Sequence, residues 1–417
     1  MPRRPSLPPA NPFRIGGIVT GDQFADRAEE LRRIEQALLD PGDKLLVYGP
    51  RRMGKSSTLD RALARVNERD GAVAFRADLS GATTVTDIAN RILQGATAAF
   101  GRRWQDLVNR LVQALTINVT LQIDPSSGLP VLTLGAQGRA APLAEQRVSL
   151  ERVLAGIEEI AAERGIRVGV VLDEFQTIHR FGGEEAEWHF RGIIQTHQHV
   201  SYVAAGSDVT LLEAMQGRGR AFYQLFRPMY HGPIEPGLFA RWIDERLEGA
   251  GIDPRGIGEQ IVATAGPRTR DIVELARAVY DVAAASGDVG DDTLELAVRE
   301  LLAMYGEQFR RLWDELPGSQ QNVLRAVAAG EEQLYGRASQ QLFGFRSTAE
   351  IAQAIRALAD RELLSGESGG VVFDNPIMRV WVARYALPDV GILEPTSETV
   401  KRLQAGPPSP PEPAEPS

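Results

Sequence analysis

The sequence LLVYGPRRMGKSS at residues 45–57 sets the architecture of the chain. A short apolar run, typical of a buried strand, ends at Gly49, and a segment with helical spacing begins at Lys55. The sequence between them fits the pattern G-x-x-x-x-G-K-[ST]. Gly49 and Gly54 let the backbone wrap closely around an anion, so that N–H groups of the loop and of the helix N-terminus point at phosphates. We expect Lys55 to reach the β- and γ-phosphates of a nucleotide and the Ser56 hydroxyl to coordinate Mg²⁺.

Lysine is rare in this chain, which makes the lysine of the loop more informative. Of 46 basic residues only three are lysines, at positions 44, 55 and 401. A planar guanidinium is a poor replacement for a compact ammonium inside such a loop. Lys55 is therefore predicted to be retained for phosphate binding.

The second informative stretch is VGVVLDEF at 168–175, a wholly apolar strand that ends in two acids. Asp173 closes a buried strand, where a carboxylate is costly unless it meets a cation, and Mg²⁺ bound with a triphosphate is the natural partner. Glu174 is positioned to polarise a water for attack on the γ-phosphate. The alternative is a pair of solvated acids at a strand end. Together with the loop, the acid pair predicts an ATPase that hydrolyses with its own glutamate.

The base of the nucleotide is predicted to be adenine, because the chain has no Asn/Thr-Lys-x-Asp motif of the kind that reads guanine.

A further strand ends in Ala205-Gly206-Ser207, and Ser207 is predicted to face the γ-phosphate as a polar sensor, with a helix cap as the alternative. Either Arg268 or Arg270, at the opening of a later helix, is predicted to reach the phosphates, with surface arginine as the alternative. A weaker hypothesis is an arginine finger acting on a neighbouring subunit, for which the candidates are Arg218, Arg220 and Arg227.

Apolar strands alternate with helical segments up to about residue 235, which predicts an α/β fold with a parallel sheet covered on both faces. Helical segments follow, and the last part has the order helix, helix, helix, β-hairpin of a winged helix. The predicted regions are an extended tail at 1–13, an ATPase domain at 14–235 with an inserted hairpin at about 117–137, a helical lid at 236–314, a winged helix at 315–387 and a Pro-rich disordered tail at 388–417.

Composition excludes several classes of function. The chain has 417 residues and no cysteine, which rules out disulfide scaffolds, Cys-ligated zinc and thiol nucleophiles. Its net charge of -9 disfavours a general nucleic-acid coat and leaves a local basic patch open. No apolar run is long enough to span a membrane, and the N-terminus lacks the apolar core of a secretory signal. We therefore expect a cytoplasmic protein without a membrane partner.

The motifs together resemble the archaeal-type, or prokaryotic, P-loop ATPase family of the AAA+/STAND neighbourhood. The resemblance runs from NPF at 11–13 to about residue 385, and it is carried by VTGDQFADRAEEL, GPRRMGKSS, LDEFQ, AAGS, the GPR helix opening and DNPIMRVWVARY. It implies a sheet of order 5-1-4-3-2, a helical lid, a C-terminal winged helix, and binding and slow hydrolysis of ATP with Mg²⁺. It also implies residue roles: Asp173 holds Mg²⁺ and Glu174 activates water. The other implied sites are the phosphate loop, with Gly49, Pro50, Arg51, Arg52, Met53, Gly54, Lys55, Ser56 and Ser57, and the base pocket, with Ile18, Val19 and Arg27.

Three functions remain open from the sequence. The first is a nucleotide-dependent switch that signals lid closure to a protein partner through the winged helix. The second is an AAA+ ATPase that grips duplex DNA, resembling origin-recognition or helicase-loader proteins. The third, a nucleotide-binding pseudo-enzyme, is disfavoured because Lys55, Ser56, Asp173 and Glu174 are all present. The near-neutral charge of residues 348–363 favours a protein partner. A nucleotide-dependent homo-oligomer is an additional hypothesis.

Overall fold

A computed structural model describes residues 10–15, 25, 27–100, 142–284, 287–331, 333–367 and 370–387, with the backbone of 119–123 and 130–134. The chain divides into two compact units. One unit is Ile18–Pro233, and the other combines Met1–Gly17 with Ile234–Ser417. Val19, most of the N-terminal tail and the tail from 388 onwards lie outside the described residues.

The unit Ile18–Pro233 is built on a five-stranded sheet. Its strands, in chain order, are β1 (Leu45–Tyr48), β2 (Ala72–Asp78), β3 (Val119–Ile123), β4 (Pro130–Leu134), β5 (Arg167–Asp173), β6 (Val200–Gly206) and β7 (Arg227–Tyr230). The sheet order is β2-β5-β6-β1-β7, and every pairing in it is parallel. Counting only the strands of this sheet, the order is 5-1-4-3-2, so the predicted topology is confirmed. Strands β3 and β4 form a separate antiparallel pair within the stretch predicted as an inserted hairpin.

Helices cover both faces of this sheet. They are α1 (Ala28–Leu39), α2 (Lys55–Asn67), α3 (Val85–Phe100), α4 (Leu143–Arg164), α5 (Glu184–Ile194) and α6 (Val209–Met215). Helices α1 and α2 bury one apolar cluster and α3, α4 and α5 bury the other, so each strand of the centre faces apolar side chains on both sides. The close fit depends on Gly169 of β5, where a Cβ would lie 2.8 Å from the carbonyl oxygen of Leu38. The continuous apolar strands seen in the sequence follow from this burial.

The strand register brings three loop starts to one edge of the sheet. Tyr48 pairs with Gly206, so Gly49 and Ser207 follow neighbouring strands at the same level. Leu172 pairs with Ala204, so the acids that follow β5 begin beside the end of β6. In an open parallel sheet the carboxyl ends of the strands are where ligands bind.

The second unit is mainly helical. Its elements are α7 (Pro236–Gly249), α8 (Ile257–Ala265), α9 (Thr269–Ala283), α10 (Thr293–Asp314), α11 (Gly318–Ala328), α12 (Arg337–Phe343), α13 (Thr348–Asp360), β8 (Leu364–Glu367), β9 (Gly370–Phe373) and α14 (Pro376–Tyr385). Helices α11 to α13 followed by the β8–β9 hairpin give the order predicted for a winged helix. Among the described helices of the chain, none is both long and apolar enough to cross a bilayer.

Aromatic side chains join the long helix α10 to α14. The indole ring of Trp381 lies 5.9 Å from the ring of Trp313 and 6.4 Å from that of Phe309, measured between ring centroids. Both tryptophans are buried. The predicted lid and the predicted winged helix therefore share a core and fall in one compact unit.

The interpretation of residues 1–13 as an extended tail is wrong for its last residues. Phe13 is fully buried and packs edge-on against Trp242, and the side chain of Asn11 donates hydrogen bonds to the Arg277 carbonyl and to Asp281. The proline-rich composition concealed this anchor, because one aromatic residue is enough to fix a short segment when a helical surface offers a site for it.

Candidate active site

Two glycines shape the loop between β1 and α2 for different reasons. Gly54 has a φ of 87°, the left-handed conformation that favours glycine, and it precedes the first residue of α2. Gly49 is needed for space, because a Cβ there would lie 2.3 Å from the carbonyl oxygen of His231 on the neighbouring chain segment. The other loop residues differ in exposure: Arg51 and Ser56 are exposed, Pro50, Arg52 and Ser57 are half-buried, and Met53 is buried.

Lys55 is a buried cation at the start of α2. Its ammonium donates to the carbonyl oxygens of Gly49 and Pro50, at 2.6 and 2.7 Å. Burial lowers the pKa of Lys55 to about 8, and the carboxylates of Glu174 and Asp173 oppose that shift. The two acids are therefore within electrostatic reach of the ammonium.

Asp173 lies at the end of β5 as a largely buried carboxylate. Burial raises its pKa, and the opposing cation is Arg76, whose Nη1 stands 3.6 Å from Oδ2. Arg76 is also shared with Asp60, at 3.3 Å. A carboxylate that is desolvated and only weakly compensated fits a divalent cation. Within the described ranges no cluster of three or more His, Asp or Glu residues could cage a metal.

Glu174 follows Asp173 in an unusual backbone conformation. Its φ of 53° and ψ of 45° are left-handed, which is uncommon for a residue with a side chain and clusters at functional sites. Its carboxylate accepts from the Ser207 hydroxyl, 3.2 Å from each oxygen, and from the amide of Gln176. Ser207 in turn accepts from Nε of Arg51 at 3.3 Å. The structure thus brings Glu174 and the predicted sensor serine into direct contact.

Arg27, predicted to lie at the base pocket, is buried beside the phosphate loop. Its guanidinium donates to the carbonyl oxygens of Gly232 at 2.6 Å and Met53 at 3.3 Å, and it pairs with Glu30 at 2.7 Å. It therefore ties the loop to the segment that follows β7.

Sequence reasoning missed the structural role of His231. This residue is fully buried, and its Nε2 lies 3.1 Å from the hydroxyl of Thr58 on α2. Burial, with the nearby charges of Arg27 and Lys55, lowers the pKa of His231 to about 3, so the imidazole is neutral. The signal was hidden because β7, which ends one residue before it, is short, contains a proline and exposes most of its side chains.

The two lid arginines occupy different environments. Arg268 is buried, and its guanidinium bonds to the carboxylate and carbonyl oxygen of Asp374 and to the Ser365 hydroxyl at 2.9 Å, at the base of the β8–β9 hairpin. Arg270 is exposed on the first turn of α9. The prediction that one of them reaches the phosphates stays a prediction, and Arg270 is the one not engaged by the hairpin.

The three arginines considered as an arginine finger also differ in their surroundings. Arg220 bonds to the fully buried Glu187 at 2.8 Å, and Arg227 forms an ion pair with Asp43. Arg218 is exposed, and in the part of the chain that the structure describes it makes no ion pair. The arginine finger stays a prediction, and of its three candidates Arg218 is the one without an ion pair among the described residues.

Comparison with known proteins identifies the families that the chain matches and the folds that it resembles. A family model described as an ATPase domain predominantly from Archaea matches residues 24–232, and one for a winged helix domain matches 307–384. A Walker-type ATPase of Pyrococcus abyssi is similar in structure, with a TM-score of 0.55 at 17% identity over 89% of this chain and 99% of that chain. The Aeropyrum pernix ORC1 protein in complex with DNA aligns with a TM-score of 0.48 at 15% identity over 88% and 95% of the two chains. No curated protein is similar enough in sequence to count as a match.

Proposed function

Because the chain belongs to the ATPase family found predominantly in Archaea, we propose that it binds ATP with Mg²⁺ and hydrolyses it slowly, as a nucleotide-dependent switch. One observation carries the proposal. The buried ammonium of Lys55 is electrostatically coupled to Asp173 and Glu174 at the edge of the sheet where the phosphate loop begins. A buried cation and a desolvated carboxylate within electrostatic reach of each other suit a triphosphate and its metal ion.

The residues divide the work by their chemistry. The loop N–H groups and Lys55 would hold the phosphates, while Ser56 and Asp173 would hold Mg²⁺. When bound, Mg²⁺ would neutralise charge on the phosphate oxygens. Glu174 would accept a proton from the attacking water, and the Ser207 hydroxyl, which donates to Glu174 in this structure, would turn to a phosphate oxygen when the nucleotide binds.

We assign the lid contact to Arg270 rather than Arg268. Arg268 is buried against Asp374, and a move to the nucleotide would leave that carboxylate without its cation. Arg270 is exposed and would lose no such partner. Breaking a buried ion pair on one side costs about 3–5 kcal/mol.

The switch would transmit movement of the lid to the winged helix because the two share one core. The Arg268–Asp374 pair and the tilted ring contact between Trp381 and Trp313 join them, and both belong to the same compact unit. A change that moves α9 would therefore carry the β8–β9 hairpin with it.

A protein partner for the winged helix is supported by its surface. Tyr335 and Leu342 are half exposed or more, and the charges of residues 348–363 are nearly balanced. Duplex DNA is the alternative, supported by Gln353 and Arg356 on the exposed face of α13, although Asp360 lies on the same helix.

Nucleotide chemistry is tested with two substitutions. Lys55→Ala is expected to abolish the heat of ATP binding in calorimetry, because the loop loses its ammonium. Glu174→Gln is expected to bind ATP with Mg²⁺ and release no phosphate. Hydrolysis by Glu174→Gln at the parental rate would show that this carboxylate does not activate water.

The partner is tested with the Glu174→Gln chain held in ATP. Co-purification identifies proteins that bind the trapped state, and sedimentation with and without ATP tests the homo-oligomer. A duplex gel shift at two salt concentrations tests DNA, since contacts to phosphates weaken steeply with salt. A salt-dependent shift would favour the DNA alternative, and its absence in both nucleotide states would count against it.

A further inference from the structure

Gln176 is a buried glutamine whose amide touches the proposed catalytic carboxylate. It lies in the 3-10 turn Phe175–Phe181 that directly follows Glu174, and only 6% of its surface is exposed. Its Nε2 donates a hydrogen bond to Oε2 of Glu174. We propose that Gln176 is a positioning residue that orients the Glu174 carboxylate for ATP hydrolysis, an inference that rests on the proposed function.

The other donor to this carboxylate has a competing task. Ser207 donates to Glu174, but a hydroxyl carries one proton and cannot donate to a carboxylate and a phosphate at once. If Ser207 turns to the γ-phosphate, Glu174 keeps only the amide of Gln176 among these two donors. Gln176 is enclosed by protein, so it would hold the carboxylate while the serine changes partner.

The orientation of the Gln176 side-chain amide is fixed by its close packing on Gly206, the last residue of β6; we call this contact the slot. A Cβ at Gly206 would lie 2.2 Å from Oε1 of Gln176, and the φ of Gly206 is not in the left-handed region, so this position requires glycine for room and not for its backbone. Oε1 is buried and has no hydrogen-bond partner among the described residues. Turning the amide over would place its oxygen against the Glu174 carboxylate, where two acceptors repel. Packing and charge therefore both leave the N–H group facing Glu174.

The left-handed backbone conformation of Glu174 is a second reason to expect that the hydrogen bond from Gln176 matters for catalysis. Such a conformation costs of order 1–3 kcal/mol and persists only where the surroundings define it tightly. The carboxylate at the end of this turn has two rotatable bonds beyond its Cβ, and the side-chain donors that fix it are Ser207 and Gln176. Loss of the amide should therefore release the carboxylate and leave the nucleotide site intact.

The first test is Gln176→Met in the full chain, which keeps the length of the side chain and removes both N–H donors. We expect kcat for ATP to fall about ten- to hundred-fold, the range for one hydrogen bond to a charged group, while the dissociation constant for ATP changes less than about two-fold. Gln94→Met, at an exposed glutamine on α3, is the matched control and should keep the parental kcat. An unchanged or increased kcat in Gln176→Met, or a parallel loss of ATP binding, would overturn the proposal.

A double-mutant cycle tests the slot independently. Gly206→Ala should lower kcat in the parental chain by pushing the amide away from Glu174. In a Gln176→Ala background the short side chain leaves room, so adding Gly206→Ala should change kcat less than about two-fold. A Cβ at Gly206 also approaches the side chain of Leu212, at 2.8 Å. If the two effects multiply, Gly206 acts through Leu212 and the slot argument fails.

A spectroscopic readout separates this inference from the proposed function. In full-length chain labelled with ¹⁵N-glutamine, the side-chain amide signal lost in Gln176→Met belongs to Gln176. It should exchange slowly with solvent and shift in Glu174→Ala. Rapid exchange together with no response to Glu174→Ala would overturn the contact. If the parental chain binds ATP and releases no phosphate while the amide responds, the proposed hydrolysis is wrong and the contact stands without a catalytic role.

Discussion

Acid should destabilise the unit Ile18–Pro233 through His231, whose imidazole is fully buried under the phosphate loop. The folded chain keeps this histidine neutral with a pKa of about 3, while the unfolded chain binds its proton near the ordinary value of 6.5. Between these values the unfolded state binds more protons, so stability present above pH 6.5 is lost as the pH falls toward 3. From pH 7 to pH 5 the loss from this one group is about 2 kcal/mol.

The assay compares urea unfolding of the parental chain and His231→Gln at pH 7 and pH 5. Glutamine keeps an amide close to the position of Nε2, so Thr58 retains a partner, but it cannot titrate. Other groups titrate equally in both chains and cancel in the difference. We expect the parental chain to lose about 2 kcal/mol more than the variant over this interval.

His199→Gln serves as the control, because the side chain of His199 is 38% exposed. It should leave most of the acid sensitivity of the parental chain in place. Equal pH dependence in the parental chain and His231→Gln would refute the view that a buried neutral imidazole supports the loop. A His231 ring signal that titrates between pH 5 and pH 7 would refute it directly.

Four further substitutions test packing and ion pairs. Gly49→Ala should lose ATP binding in calorimetry and about 1–3 kcal/mol of stability, since its Cβ would meet a carbonyl oxygen at 2.3 Å; normal binding would refute the close approach. Arg268→Ala should lower the urea stability of its unit by about 3 kcal/mol and Arg270→Ala by less than about 0.5 kcal/mol, and equal losses would contradict the different burial of the two side chains. Glu187→Gln should cost about 3 kcal/mol, because it leaves the guanidinium of Arg220 without its buried partner; an unchanged melting temperature would contradict that.

The central sheet could be predicted because its signals are local. The apolar runs at β1, β5 and β6 end at glycine or at acids. Because these strands are buried on both faces, their sequences are continuously apolar and are easily recognised as strands of a parallel sheet. Strand β7 was missed because it has four residues and one buried side chain, which is too little for a pattern of alternating apolar and polar residues. Helix α5 was also not predicted. Helix α6 was considered only as the helix that Ser207 would cap, and its cap is Asp208 instead, whose side chain accepts a hydrogen bond from the backbone N–H of Leu211.

The site was predictable where chemistry demands a residue type and not where packing does. Lys55 could be predicted from the phosphate-loop motif. Asp173 could be predicted because a carboxylate at the end of a buried strand needs a cation. Gln176 and His231 act through tertiary contacts with Gly206 and Thr58, which no spacing in the sequence reveals. The order of the sheet came from the resemblance to a family and not from the residues themselves.

The anchoring of Phe13 on Trp242 has a practical consequence for anyone dissecting this chain. A fragment that begins at Ile234 would lack the phenyl ring that shields that indole, and a fragment that stops at Pro233 would carry the ring with nothing to cover it. Cleavage after Asp314 would strip Trp313 from Trp381. The helical unit thus contains residues from both ends of the polypeptide. A fragment meant to keep its packing would need residues 10–15 joined to the N-terminus of the segment that begins at Ile234.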